Sequence, residues 1–212
     1  MFLKKLSSLL SLISSVAFIA LFAVSCHSPE SLPIYGNRDF DSAGDTIFHT
    51  IPDFEFTNQF DKKVNQDSYK GKIYIADFFF TTCPGICPIM TDELFRVQKE
   101  LQKLPNDILI LSHTVDPESD STAALLAYGK SKGADFTSWN FVTGSKRKLY
   151  RMAESYLVVA NHNPGEEMEF VHSDKLVLID KQGRIRGLYS GIETREVDQL
   201  IADVKLLIKE HD

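Results

Sequence analysis

Cys83 and Cys87 are the residues of this 212-residue chain whose type and spacing most directly imply chemistry. They stand in Phe80-Thr81-Thr82-Cys83-Pro84-Gly85-Ile86-Cys87-Pro88, with a Pro-Gly turn between them. Two thiolates so placed can close a reversible disulfide, bind a soft metal, or do both. Structural zinc usually takes four ligands, and the remaining cysteine, Cys26, stands far from this pair. A pair of inert buried thiols is the plainest alternative, but exported thiols at a helix start tend to be oxidised or ligated. Pro88 is tolerated in a first helical turn, whose N–H groups lack partners anyway. Cys87 therefore falls at or just before a helix start, where the partial positive charge favours thiolate over thiol.

The flanking segments supply the frame. Lys72–Phe80 is nearly continuous in β-branched and aromatic residues, the pattern of a strand buried on both faces. Met90, Leu94, Val97, Leu101 and Leu104 form one apolar stripe, which predicts a helix over Pro88–Leu104 stopped by Pro105. The cysteines thus lie where a buried strand hands over to a helix, the usual place for sites in open α/β sheets. Phe54–Val64 reads as a hairpin around Thr57-Asn58-Gln59, and Ile108–Val115 as a second buried strand. A helix through Leu125, Leu126 and Tyr128 ends near Gly133, and Ser145 caps another running to about Tyr156. Leu176–Ile179 and Ile185–Tyr189 flank Asp180-Lys181-Gln182-Gly183, a hairpin signal, and Val197 to Ile208 give a closing amphipathic helix. One α/β domain follows, a central mixed sheet flanked by helices, over residues 51–212.

Net charge is −6, and the first 25 residues carry only Lys4 and Lys5, so the body is more acidic still. No basic field exists to hold a polyphosphate, which argues against nucleic acid as a partner. Residues 6–29 carry no charge and follow Lys4-Lys5. A positive start followed by an apolar run is the layout of an export signal over residues 1–25. Ala23-Val24-Ser25-Cys26 resembles a lipobox, with Ala23 where leucine is more usual, so Cys26 is the expected lipidation site. Cleavage without lipid and an uncleaved membrane anchor stay open. All three readings place the body outside the cytoplasm, on the periplasmic side. Residues 26–50, with Pro29, Pro33, Gly36 and Gly44, show no periodicity and read as a flexible tether.

Two segments together resemble the Sco (SenC) copper chaperones. The first is Thr81-Thr82-Cys83-Pro84-Gly85-Ile86-Cys87-Pro88-Ile89-Met90. The second, much later in the chain, is Phe170-Val171-His172-Ser173-Asp174-Lys175-Leu176-Val177-Leu178-Ile179-Asp180. The resemblance runs from about Asp53 to the C-terminus and includes Gly71-Lys72 and the Val115-Asp116-Pro117 turn. It implies a thioredoxin-like fold with an N-terminal β-hairpin extension and a copper site made of Cys83, Cys87 and His172. It also implies a role in delivering copper to, or reducing the cysteines of, the binuclear copper centre in a cytochrome oxidase subunit. Thr82 and Gly85 depart from the histidine and aspartate that many relatives carry there, which lowers the local charge but removes no ligand. The hairpin near Phe60 also lacks a glycine often found in the family. The donor set suits the metal: Cu(I) prefers thiolate, and Cu(II) accepts imidazole. A generic thioredoxin has C-x-x-C and a proline before the facing strand, whereas here C-x-x-x-C is matched with His172-Ser173.

Other candidates are weaker. His27, His49 and His211 fall in the tether or tail and read as solvated, and His113 on a buried strand reads as hydrogen-bonded core. His162 and Met168 stand among Glu166, Glu167 and Glu169 in an acidic loop, which reads as solvated rather than as a flap with an extra ligand. Met90 belongs to the apolar stripe, and Asp77, inside a buried strand, requires a partner or a shifted pKa. Two functions compete: a membrane-tethered copper-binding assembly factor, and a thiol–disulfide oxidoreductase or thiol peroxidase using Cys83 and Cys87.

Overall fold

The computed structural model describes residues 31–104, 108–158 and 173–211. Two short strands, β1 (Arg38–Phe40) and β2 (Thr46–Phe48), pair with each other as a separate exposed hairpin. The main sheet holds β3 (Glu55–Asn58), β4 (Lys63–Asn65), β5 (Tyr74–Phe79), β6 (Leu109–Thr114), β7 (Trp139–Thr143), β8 (Lys175–Ile179) and β9 (Ile185–Ser190). Their order is β4-β3-β7-β6-β5-β8-β9. The central three, β5, β6 and β7, run parallel, and the outer pairings are antiparallel. Four helices connect or close it: α1 (Cys87–Leu101), α2 (Thr122–Ser131), α3 (Lys146–Ser155) and α4 (Thr194–His211).

Alternation along the central strands builds two cores. Ile75 and Phe79 of β5 and Ile110 of β6 pack with Met90, Leu94, Val97 and Leu101 of α1 and with Val197, Leu200 and Val204 of α4. The other faces of the same strands, with Ala76, Phe78 and Leu111, pack with Phe54, Phe56 and with Leu149 and Met152 of α3. The expected helix over Pro88–Leu104 ends at Leu101, and Leu104 packs on the core from beyond it. The 54–64 hairpin forms, with its turn at 59–62, where the Asn58 side chain accepts the Phe60 and Lys62 N–H groups. Ser145 does precede α3, but its backbone carbonyl rather than its hydroxyl takes up the N–H groups of Lys148 and Leu149.

Two features depart from the sequence reading. Strand β7 is absent from that reading, and it completes the parallel core beside β6. The expected tether is structured over 31–50. Leu32 is buried, Tyr35 bridges Ile185, and the Asp41 carboxylate closes the β1–β2 turn by accepting the Ala43 and Asp45 N–H groups. Buried Arg186 holds this segment down, donating to the Leu32 carbonyl at 2.7 Å and the Pro33 carbonyl at 3.1 Å. The same guanidinium pairs with Glu210 at 2.6 Å and Asp180 at 3.2 Å.

Candidate metal centre

Strand β5 ends at Phe79, and a short loop leads directly into α1, whose first residue is Cys87. Pro88 in that first turn gives up no hydrogen bond, so the thiol-bearing loop and the helix form one continuous unit. Cys83 and Cys87 are both reduced, and they are 9% and 3% exposed. Burial pushes the Cys83 thiol up, but donors to its sulfur outweigh this and hold it below the ordinary thiol value. Those donors are the Cys87 thiol and the N–H groups of Cys87, Gly85 and Ile86. Burial pushes the Cys87 thiol up to about 12, and its bond to Cys83 adds to the effect. The helix start therefore favours thiolate at Cys83 rather than at Cys87, because the free amides of the first turn aim at the upstream sulfur.

The buried carboxyl of Asp77 shares the α1-facing side of β5 with Ile75 and Phe79, and it acts on Cys87. Its partner is Ser112, whose hydroxyl donates to Asp77 Oδ1 at 2.5 Å and accepts from Trp139 Nε1 at 2.8 Å. Burial raises the Asp77 pKa to about 7, with the Ser112 bond pulling the other way. Its charge adds slightly to the upward push that burial gives the Cys87 thiol, and burial likewise raises the Tyr128 phenol, with smaller contributions from Cys87 and Asp77. Tyr128 donates to Thr91 Oγ1 at 2.8 Å, and Thr91 donates to the Cys87 carbonyl at 2.8 Å, fixing the first turn of α1 from the side.

His113 does not join the site. Its ring lies on the opposite face of the sheet, stacked on Phe78 at 4.7 Å and edged by Phe54, Phe56 and Tyr156. Burial in that aromatic box lowers its pKa to about 3. Met90 is core, as the stripe implies. His49 is tied down, with Nε2 2.7 Å from the Ser155 carbonyl. Cys26, His27, His162, Met168 and His172 lie outside the described residues, and among the described residues no third histidine, cysteine or acid joins the two thiols. The residues just after His172 are placed. Asp174 accepts the Ser190 hydroxyl at 2.5 Å on its carboxylate, and its backbone carbonyl accepts the Gly191 N–H at 2.6 Å. Gly191 in turn sits against Met90, since a Cβ there would come within 3.1 Å of Met90 Cγ.

Sequence reasoning missed Ser112, Thr91 and Asp120. The Asp120 carboxylate, fully buried, accepts from Thr81 N–H, Thr81 Oγ1 and Thr114 Oγ1, so it ties the carboxyl ends of β5 and β6 together.

The family model of SCO1/SenC matches residues 43–209. The chain belongs to the SCO1/SenC family. It is 33% identical over 163 residues to the SCO1 protein homolog of Bacillus subtilis, covering 76% of this chain and 84% of that one. Among solved structures it resembles BsSco, described as a member of the Sco family of cytochrome c oxidase assembly proteins with a disulfide switch. That match has 32% identity, a TM-score of 0.65 and coverage of 75% of this chain and 93% of that one. It also resembles Bradyrhizobium japonicum ScoI with copper bound, at 25% identity and a TM-score of 0.59, covering 74% of this chain and 99% of that one. The thioredoxin-like fold expected from the sequence stands. The SCO1/SenC frame sets two soft, adjacent sulfurs at a strand end, a donor pair that fits a soft ion such as Cu(I). Among the described residues no helix is long and apolar enough to cross a membrane.

Proposed function

We propose that this protein is held at a membrane outside the cytoplasm by its N-terminal segment and carries copper to the binuclear centre of cytochrome oxidase during assembly. Cys83, Cys87 and His172 are the proposed ligands, and Cys26 the proposed lipidation site. The observation that carries the reading is the pair of hydrogen-bonded thiols at the carboxyl end of β5 within the SCO1/SenC frame. The contact of Gly191 with both Met90 and Leu176 supports it, because that contact brings the start of β8 toward the first turns of α1. Two sulfurs and one imidazole leave the metal coordinatively open, as a protein that must release it requires.

The test is anaerobic titration of the reduced full chain in detergent with Cu(I) and with Cu(II). One tightly held copper per chain is expected, lost in Cys83→Ser and in Cys87→Ser. His172→Ala should weaken Cu(II) binding by more than the roughly 10–100-fold typical of outer-sphere changes, while keeping Cu(I) on the sulfurs. Binding no greater than that of a thiol-blocked sample rejects the reading. Cys26→Ser should release the chain from membranes without altering its copper binding.

The asymmetry of the two thiols favours a second reading, reduction of partner cysteines. The Cys83 thiolate attacks a partner disulfide, forming a mixed disulfide and releasing one partner thiolate, which takes up a proton. Cys87 then loses its proton and attacks the Cys83 sulfur. This frees the second partner thiol and leaves Cys83–Cys87 oxidised by two electrons. Reduced protein that binds copper yet leaves an accessible disulfide intact would remove this second role.

A further inference from the structure

The geometry points to Asp120 as a positioning residue for the thiol loop, an inference that rests on the copper-site reading above for its metal readout. Asp120 follows β6 in the turn 115–121, where its carboxylate accepts from the Thr114 hydroxyl, which itself accepts the Asp116 N–H at 3.0 Å. The turn is closed by backbone bonds, Ser119 N–H and Asp120 N–H to the Asp116 carbonyl at 3.2 and 2.9 Å. The next helix is capped by Ser121, whose hydroxyl accepts the Ala124 N–H at 3.2 Å. The carboxylate also reaches across to Thr81 at the neighbouring strand end. Oδ1 accepts from Thr81 Oγ1 at 2.5 Å, and Oδ2 accepts from Thr81 N–H at 3.1 Å and from Thr114 Oγ1 at 2.5 Å.

Asp120 is 0% exposed and, among the described residues, meets no cation in an ion pair. A buried carboxylate held by hydroxyls and one amide alone is costly unless its geometry is needed. Thr81 stands two residues before Cys83, and beyond it Thr82, Pro84 and Gly85 are exposed. A second tie of this stretch runs from the Cys83 N–H to the Phe80 carbonyl at 3.3 Å, within the loop itself. Asp120 therefore sets the direction in which the chain leaves β5, and with it the place where the Cys83 sulfur meets the amides of Gly85, Ile86 and Cys87. A sulfur displaced from those amides loses both its thiolate stabilisation and its match to the Cys87 sulfur.

The experiment uses the full chain in detergent, with two readouts. One is Cu(II) affinity with the thiolate-to-copper absorption band. The other is the midpoint potential of the Cys83–Cys87 disulfide, which requires no metal. Asp120→Ala is expected to weaken Cu(II) binding about tenfold and shift the band. It should also change the disulfide equilibrium by a similar factor, about 30 mV for two electrons. Asp120→Asn should recover most of both, because its amide oxygen can accept from Thr81 while its NH2 faces a rotated Thr114 hydroxyl. Thr81→Val, which removes one hydroxyl and keeps the N–H, should give a smaller change of about threefold. The inference is overturned if Asp120→Ala lowers the melting temperature but leaves band and potential at their wild-type values. Equal losses in the alanine and asparagine variants also overturn it, since charge rather than placement would then be the cause. If Asp120→Ala does not fold, Thr81→Val decides: unchanged band and potential overturn the inference. Wild-type protein that binds no copper rejects the proposed function, and the potential alone then decides on Asp120.

Discussion

The two ends of the central sheet bury polar groups in opposite ways. At the amino end of β5, Asp180 and Glu210 are neutralised by arginine. Arg184 meets Asp180 at 2.7 Å, and Arg186 bridges Asp180 and Glu210 while holding two backbone carbonyls of the 31–50 segment. At the carboxyl end, Asp77 and Asp120 are held by hydroxyls and an amide, and the imidazole of His113 sits among aromatic rings. The first arrangement fastens chain to chain. The second sets Asp77, a carboxyl whose pKa burial raises, on the thiol-bearing side of the sheet with no ion pair among the described residues, which is where electrostatic tension can be used.

The largest expected effect comes from breaking the fastened end. Arg186→Met removes the cation of half-buried Glu210 and one of the two arginines on Asp180, and it frees the Leu32 and Pro33 carbonyls, so urea unfolding should lose about 3–5 kcal/mol. A loss below about 1 kcal/mol would show that the ends do not differ as described. The next effect lies at the other end. The pKa of Asp77 is raised in the folded state to about 7, from an ordinary value near 3.8. Its stabilising contribution is therefore full below pH 3.8 and is lost as pH rises through 7. Asp77→Asn, which can still accept from Ser112, should gain up to about 4 kcal/mol over wild type at pH 8 and little at pH 4. A pH-independent difference would place the proton elsewhere.

His113 sharpens the contrast with the opposite sign. Its folded pKa is depressed to about 3 from 6.5, so its contribution is present above pH 6.5 and is lost as pH falls toward 3. His113→Phe should remove this loss and leave the Asp77 gain unopposed, so its stability should rise by about 2 kcal/mol from pH 6.5 to 5. Wild-type stability should be nearly level across that interval because the two groups oppose each other. A histidine variant with an unchanged acid limb would mean that His113 is already charged when folded.

Most of the frame was legible because burial writes itself into local pattern. The apolar run of β5, the stripe of α1 and the hairpin signal between β8 and β9 each point to one structure. Strand β7 escapes because the alternation of Trp139-Asn140-Phe141 breaks at Val142, too short a period to mark a strand, and pairing with β6 and β3 makes it one. The β1–β2 hairpin escapes because its residues are nearly all exposed, so no apolar period marks it. The thiols are visible from spacing alone. Asp120 is not, since Glu118-Ser119-Asp120-Ser121 reads as a solvated turn before a helix, and its burial depends on Thr81 and Thr114, contributed by two different strand ends.

The bond from Trp139 to Ser112 has a further use. Trp139 is the one tryptophan in the chain, fully buried, and its indole N–H is two hydrogen bonds from the Asp77 carboxyl. The protein thus carries its own optical probe on the thiol-bearing side of the sheet. Emission from that single indole, followed from about pH 5 to 9, reports when the proton leaves Asp77, with no label added. The same signal, followed as Cys83 and Cys87 are oxidised, registers how far a change at the thiol loop travels into the sheet.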